Sequence, residues 1–283
     1  MTKPTRNLFV ISDIHCGCQL GLISPHGIKL DEGGGHYVPS SIQDQMFKYW
    51  MEMWTEWLPI MTKGEPYDIV FNGDAVDGSH HSATHQITHN LHDQVRIARD
   101  LLAPRIADCR NLGGNYYHIR GTEAHVGSSG VEEERLAELL DATKSTQGQY
   151  ARFELWKHVG KGLVHLLHHI GTTGSAAYEA TAVNKELTES FTEAGRWGNQ
   201  PPDIVIRSHR HRSLAVRMPI SHAGGSAWSI VTPGWQAKTP FVYRIPGGRL
   251  SQPQFGGVII RQHDDGCLGP LFFDRSFPRS KPE

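Results

Sequence analysis

The stretch Asp68-Ile69-Val70-Phe71-Asn72-Gly73-Asp74-Ala75-Val76-Asp77 puts a short apolar run directly before a cluster of polar and carboxylate residues. The run reads as a buried strand and the cluster as the turn at its carboxyl end. The arrangement recurs. Residues 8–11 lead into Ser12-Asp13-Ile14-His15, residues 163–167 into His168-His169, and residues 204–206 into Ser208-His209-Arg210-His211. A fifth cluster, Gly121-Thr122-Glu123-Ala124-His125, follows the run at 116–119. Strand ends that converge on one edge of a sheet are where open α/β folds build their sites. The pattern therefore predicts an α/β fold that gathers these clusters.

Composition narrows the chemistry. The chain has 283 residues, enough for a substantial core. Its 28 Lys and Arg nearly cancel 29 Asp and Glu, so no global field selects nucleic acid or an anionic membrane. The outlier is histidine, with 18 residues, and histidine is the commonest metal ligand. Cys16, Cys18, Cys109 and Cys267 suggest neither a disulfide framework nor a Cys-rich zinc site, which would need a second close pair. No signal-peptide pattern and no apolar run near the ~20 residues of a membrane span occurs, so a cytoplasmic, soluble protein is expected.

Apolar residues recur at helical spacing over 45–58, 91–109 and 131–140, with Pro104 expected to end or kink the second helix. Residues 19–41 hold Pro25, Gly33-Gly34-Gly35 and Pro39 and read as a long loop, a candidate cap. The last eighty residues read as short β-like segments, among them 229–231, 241–245 and 255–261. No linker or repeat divides the chain, and one domain over 1–283 is expected.

Asp13 and His15 lie two apart, so in an extended segment both side chains leave on one face, and His209 and His211 share that spacing. A carboxylate such as Asp74 can bridge two cations, which imidazole cannot. Mixed imidazole and carboxylate donors suit Mn, Fe or Zn better than Ca. Two such ions ~3.5–4 Å apart activate a water and clamp the oxygens of a phosphoryl displacement.

In Asp13-x-His15, Gly73-Asp74-x-x-Asp77 and His209-x-His211 the chain resembles the calcineurin-like metallophosphoesterases, over roughly residues 8–240 and with Ser208 where that family has Gly. The resemblance implies a four-layer αββα sandwich of two mixed β-sheets, the metallo-dependent phosphatase fold. It implies two divalent metal ions, Mn foremost and Fe, Zn or Ni as alternatives. Asp13, His15, Asp74 and His211 would hold the first ion, and Asp74, His168 and His209 the second. His169 competes with His168, because adjacent strand residues face opposite ways. The third cluster departs from the family's Gly-Asn-His. Glu123 is expected as the ligand there and His125 as the catalytic histidine, with Asp77 either orienting His125 and keeping it protonated or serving as a turn residue before Gly78. Thr232-Pro233-Gly234 resembles the family's Asn-Pro-Gly turn, which would bring Trp235 and Lys238 near the substrate.

The phosphoprotein phosphatases of that family carry Arg after the second Asp, where this chain has Gly78. A phosphodiester, from a nucleotide or single-stranded nucleic acid, is therefore the favoured substrate. A phosphomonoesterase and a catalytically inactive, metal-stabilised interaction module are the alternatives. His80, His81, His85, His89 and His92 read either as a solvated helix face or as the lining of an entrance. Arg207, Arg210 and Arg212 either meet a phosphate or stay solvated. Gly171-Thr172-Thr173-Gly174 lacks the ending of a phosphate-binding loop.

Overall fold

Strand β1 (Asn7–Ile11) is buried at all five positions, so both of its faces are covered. In the computed structural model, which describes residues 5–31, 33–80, 83–127, 129–171, 175–221, 225–245 and 248–278, it is central to a six-stranded sheet. Parallel to it run β4 (Asp68–Asn72), β5 (Tyr116–Ile119) and β6 (Ala151–Arg152). On its other side β12 (Phe255–Gln262) and β13 (Leu268–Arg275) pair antiparallel. A second, five-stranded sheet has β8 (Gly162–Leu167), β9 (Ile204–Arg207) and β11 (Ser226–Val231) parallel at its centre. Its edges are the antiparallel β7 (Glu154–Val159) and β10 (Leu214–Pro219). The protein is a mixed α/β fold.

Alternation along β1 sorts its side chains between two cores. Leu8 and Val10 join Val70 and Ile119 against Val164, Leu166, Ile204 and Ile206, an apolar layer between the two sheets. Phe9 and Ile11 point the other way, with Phe71, onto helices. Those helices are α1 (Ser41–Glu52), α2 (Leu58–Thr62), α3 (Leu91–Asn111) and α5 (Val131–Leu139), with the short α4 (Glu123–Val126) before α5. The far face of the second sheet takes α6 (Glu179–Trp197), whose Val183 packs with Val231 and whose Leu187 packs with Val205 and Ala227.

Local chemistry explains the departures from expectation. Helix α1 starts at Ser40, whose hydroxyl accepts from the Gln43 backbone N–H while the Gln43 side chain accepts from Ser40 N, a capping box. Gln43 Nε2 also donates to the carbonyls of Cys18 and Gly21. The expected long loop 19–41 is therefore tied down; it carries a small hairpin, β2 (Ile28–Lys29) with β3 (His36–Tyr37), and buries Leu22, Ile23 and Ile28 in the core. A π-type turn, Met53–Trp57, joins α1 to α2 just before Pro59, which cannot donate its own helical bond. Pro104 does not end α3, because it lies on the exposed side, where water can satisfy the freed carbonyl. The expected β-like segment 241–245 is a single 3₁₀ turn, Val242–Arg244.

Trp235, expected near the substrate, is fully buried, with its ring 5.0 Å from that of Trp50 and 6.3 Å from that of Phe255. Its backbone N–H donates to the Asp13 carbonyl at 2.8 Å, which leaves the indole facing the core. Trp235→Ala should lower stability by about 3–5 kcal/mol in urea denaturation. A change under ~1 kcal/mol would contradict the burial.

Candidate metal centre

The six parallel strands β1, β4, β5, β8, β9 and β11 send the residues beyond their carboxyl ends into one region. Asp13 Oδ1 lies 3.2 Å from His211 Nε2, which lies 3.1 Å from His15 Nε2. Asp74 Oδ2 lies 3.1 Å from His168 Nε2 and 3.9 Å from His209 Nδ1. In each trio one donor atom per residue falls within 4.8 Å of the others. The trios adjoin: the His209 backbone N–H donates to Asp13 Oδ2 at 3.3 Å, and His125 Nε2 stands 4.0 Å from Asp74 Oδ2.

The backbone is bent to make this happen. Seven non-glycine residues among those described have positive φ, and five of them are Asp13 (56°), His15 (42°), Asp74 (57°), His209 (70°) and His211 (51°). Each left-handed residue costs about 1–2 kcal/mol, and such strain collects at functional sites. Extended geometry therefore does not hold at these turns. Asp13 and His15 do reach one trio, but His209 and His211 part to different ones. Glycine makes room beside them: a Cβ on Gly73 (φ 86°) would collide with the His168 ring, and one on Gly234 would lie 2.7 Å from His211 Cγ.

The donor set fits a cation on two grounds. Asp13 Oδ1 and His168 Nε2 are buried and make no hydrogen bond, although each faces the other donors of its trio. The electrostatics agree. Burial alone would raise the Asp74 carboxyl, but the nearby charges of His168 and His125 hold it well below its ordinary value. Burial likewise lowers His168, yet Asp74 and Asp13 push it up to about 10. A cation held by this trio would displace a proton from His168. His168 Nδ1 donates to the Asn72 carbonyl at 2.6 Å, which points Nε2 into the trio.

Glu123 is exposed at the start of α4 and joins neither trio; Thr122, set aside as a poor donor, instead gives Asp74 Oδ1 a backbone bond of 2.7 Å and a hydroxyl bond of 3.2 Å. His169 is exposed, its ring 4.8 Å from that of His209, whereas His168 is buried. The Asp77 carboxylate stands nearer His15 Nδ1, at 3.4 Å, than His125 Nδ1, at 4.0 Å. His125 Nδ1 donates instead to the Asp77 carbonyl at 2.8 Å. Burial, followed by the charge of His15, lowers His125 to about 4, so it is neutral at pH 7 rather than held protonated.

Asp77 is a hub. Oδ2 accepts from Gln86 Nε2 at 2.9 Å and Oδ1 from Gln236 Nε2 at 3.1 Å, with His80 Nε2 3.6 Å away. Gln86 and Gln236 carry no motif; only the nearby Thr232-Pro233-Gly234 turn hinted at the second. Cys18, Asp77 and His85 also lie within 4.8 Å of one another, but burial pushes the Cys18 thiol up to about 12. Residues 83–90 are not helical; His80 and His85 line the cavity, His89 and His92 are exposed, and His81 lies outside the described residues, as do Thr172, Thr173 and Gly174.

The trios open into a cavity of about 980 Å³. Much of its lining comes from the segment 236–253, including Lys238, Phe241 and Arg244, and no described lining residue comes from 19–41. Among the described residues, no helix is long and apolar enough to cross a membrane.

No family model matches this chain, and no curated protein matches it. Among solved structures, Vps29 from Chaetomium thermophilum aligns over 98% of this chain and 99% of its own at 10% identity, with a TM-score of 0.35. A hypothetical protein from Thermus thermophilus aligns over 96% of this chain and 100% of its own at 10% identity, with a TM-score of 0.41. Scores that low establish neither a shared fold nor a shared activity.

Adding Mn²⁺ to chelator-treated protein should raise its thermal midpoint, by the equivalent of about 2.7 kcal/mol at a hundredfold excess over Kd. Asp74→Asn and Gly73→Ala should weaken that response at least tenfold in apparent affinity, and Glu123→Gln should leave it unchanged. A Glu123→Gln variant that lost the response would restore Glu123 as a ligand.

Proposed function

We propose that this protein is a dinuclear-metal phosphoesterase acting on phosphodiesters, with the metallo-dependent phosphatase fold, a four-layer αββα sandwich. The observation that carries the reading is the pair of adjoining trios, Asp13–His15–His211 and Asp74–His168–His209, on strained turns at the ends of parallel strands. The layer order agrees with it: helices, the six-stranded sheet, the five-stranded sheet, and α6. Asp74 is the residue suited to bridge, because its carboxylate faces His168, His209 and His125 together.

Two divalent ions held there would activate a water and neutralise charge on the phosphoryl oxygens. The chain's own groups supply the rest. Asp77 fixes the ring of His15 from behind, as carboxylates do for metal-binding imidazoles. His125 is neutral, with its Nδ1 proton committed to a carbonyl, so Nε2 is a proton acceptor at the reacting phosphate. The cavity of about 980 Å³ is far larger than a phosphoryl group and supports a substrate with a sizeable organic part.

The test is hydrolysis of bis-p-nitrophenyl phosphate beside p-nitrophenyl phosphate with Mn²⁺. The diester should be cleaved preferentially and Asp74→Asn should abolish turnover. His125→Asn should lower kcat by about 10²–10⁴ while the thermal response to Mn²⁺ persists. Preference for the monoester would select a phosphomonoesterase. Silence on both, with metal bound, would leave a metal-stabilised interaction module.

A further inference from the structure

Three arginines surround the last His pair, and the structure separates them. Arg207 Nε donates to Glu186 Oε2 at 2.8 Å, and Arg212 Nε donates to Glu179 Oε1 at 2.9 Å. Arg210 has no such bond: its Nη1 and Nη2 are both shielded from solvent and neither makes a hydrogen bond. The carboxylates whose charge reaches it are Glu179 and Glu186, the two already bonded to its neighbours. A guanidinium stays protonated at any working pH and has five donors to satisfy. Leaving the two terminal nitrogens of this half-buried side chain shielded and unbonded costs stability unless an anion arrives.

Arg210 also stands in the right place. It lines the cavity together with Asp74, His209 and His211, and that cavity extends under the segment 236–253 past Lys238 and Arg244. We infer that Arg210 binds an oxyanion of the substrate's phosphate in a bidentate fork, while the cavity along 236–253 holds the organic group that phosphate carries. The substrate class this defines is an organic phosphodiester of nucleotide size, and the inference rests on the phosphoesterase reading for its identity. Arg suits the task because its planar fork matches two phosphate oxygens, which Lys cannot do.

Two measurements on the full chain decide it. In the Mn²⁺-loaded protein, Arg210→Gln should raise KM for bis-p-nitrophenyl phosphate about tenfold with kcat within about threefold, and Arg210→Lys should fall between. In thermal unfolding, Arg210→Gln should equal or exceed the wild type without ligand, because it removes a charged group whose two terminal nitrogens are shielded and unpartnered. Inorganic phosphate should raise the wild-type midpoint by about 2 °C or more and leave the variant unmoved. Unchanged kinetics, a loss confined to kcat, or equal phosphate protection in both proteins would overturn the inference. If the wild type cleaves neither ester, the phosphoesterase reading falls, and the phosphate arm still decides whether Arg210 is an anion site.

Discussion

The side chain of Asn72 holds the two sheets together at the end where the site is built. It donates to the Leu167 carbonyl at 3.0 Å and to Ser208 Oγ at 2.6 Å, while the Asn72 backbone carbonyl accepts from His168 Nδ1. Ser208 Oγ continues to Thr232 Oγ1 at 2.7 Å, which meets Ser12 Oγ at 2.8 Å. One chain of buried hydrogen bonds thus links the turns after β4, β9, β11 and β1. The apolar layer between the sheets supplies bulk stabilisation without direction, whereas this polar seam fixes the register of the strand ends. It also gives Ser208 a task that a glycine in its place could not perform.

The seam makes the concentration of charge tolerable. Asp13, Asp74 and Asp77 are almost wholly buried within one region, and like charges so close repel. Without a cation they are balanced by imidazoles, which is why His168 is pushed up to about 10 while His125, shielded and beside His15, falls to about 4. Buried, strained and unsatisfied groups all weaken the fold, and the two hydrophobic cores on either face of the six-stranded sheet offset them.

Much of the site was legible in sequence because strand periodicity and polar turns are local signals. The runs ending at Ile11, Ile119, Leu167 and Ile206 mark strand ends within a residue, and Asp13, His15, Asp74, His168, His209 and His211 all reach the two trios. Helix α6 escaped notice although Val183, Leu187 and Phe191 recur every fourth residue. Glu123 was expected because residue type alone ranks a carboxylate above a hydroxyl, yet it joins neither trio. Backbone decided otherwise: the short helix α4 begins at Glu123 and turns its side chain to solvent, leaving Thr122 N–H aimed at Asp74.

The sequence by itself determined which candidate donors follow the strand ends and roughly where each strand stops, since both depend on residue type and short-range spacing. Only the tertiary structure decided how those residues divide. Left-handed turns at five of the donor positions, which Asp and His tolerate better than most residues but do not require, send His209 and His211 to different trios. Packing between distant segments placed Gln86 and Gln236 on Asp77 and left Arg210, alone of the three arginines around the last His pair, without a hydrogen-bonding partner for its terminal nitrogens. Those outcomes rest on contacts between residues far apart in the chain, which spacing along it does not encode.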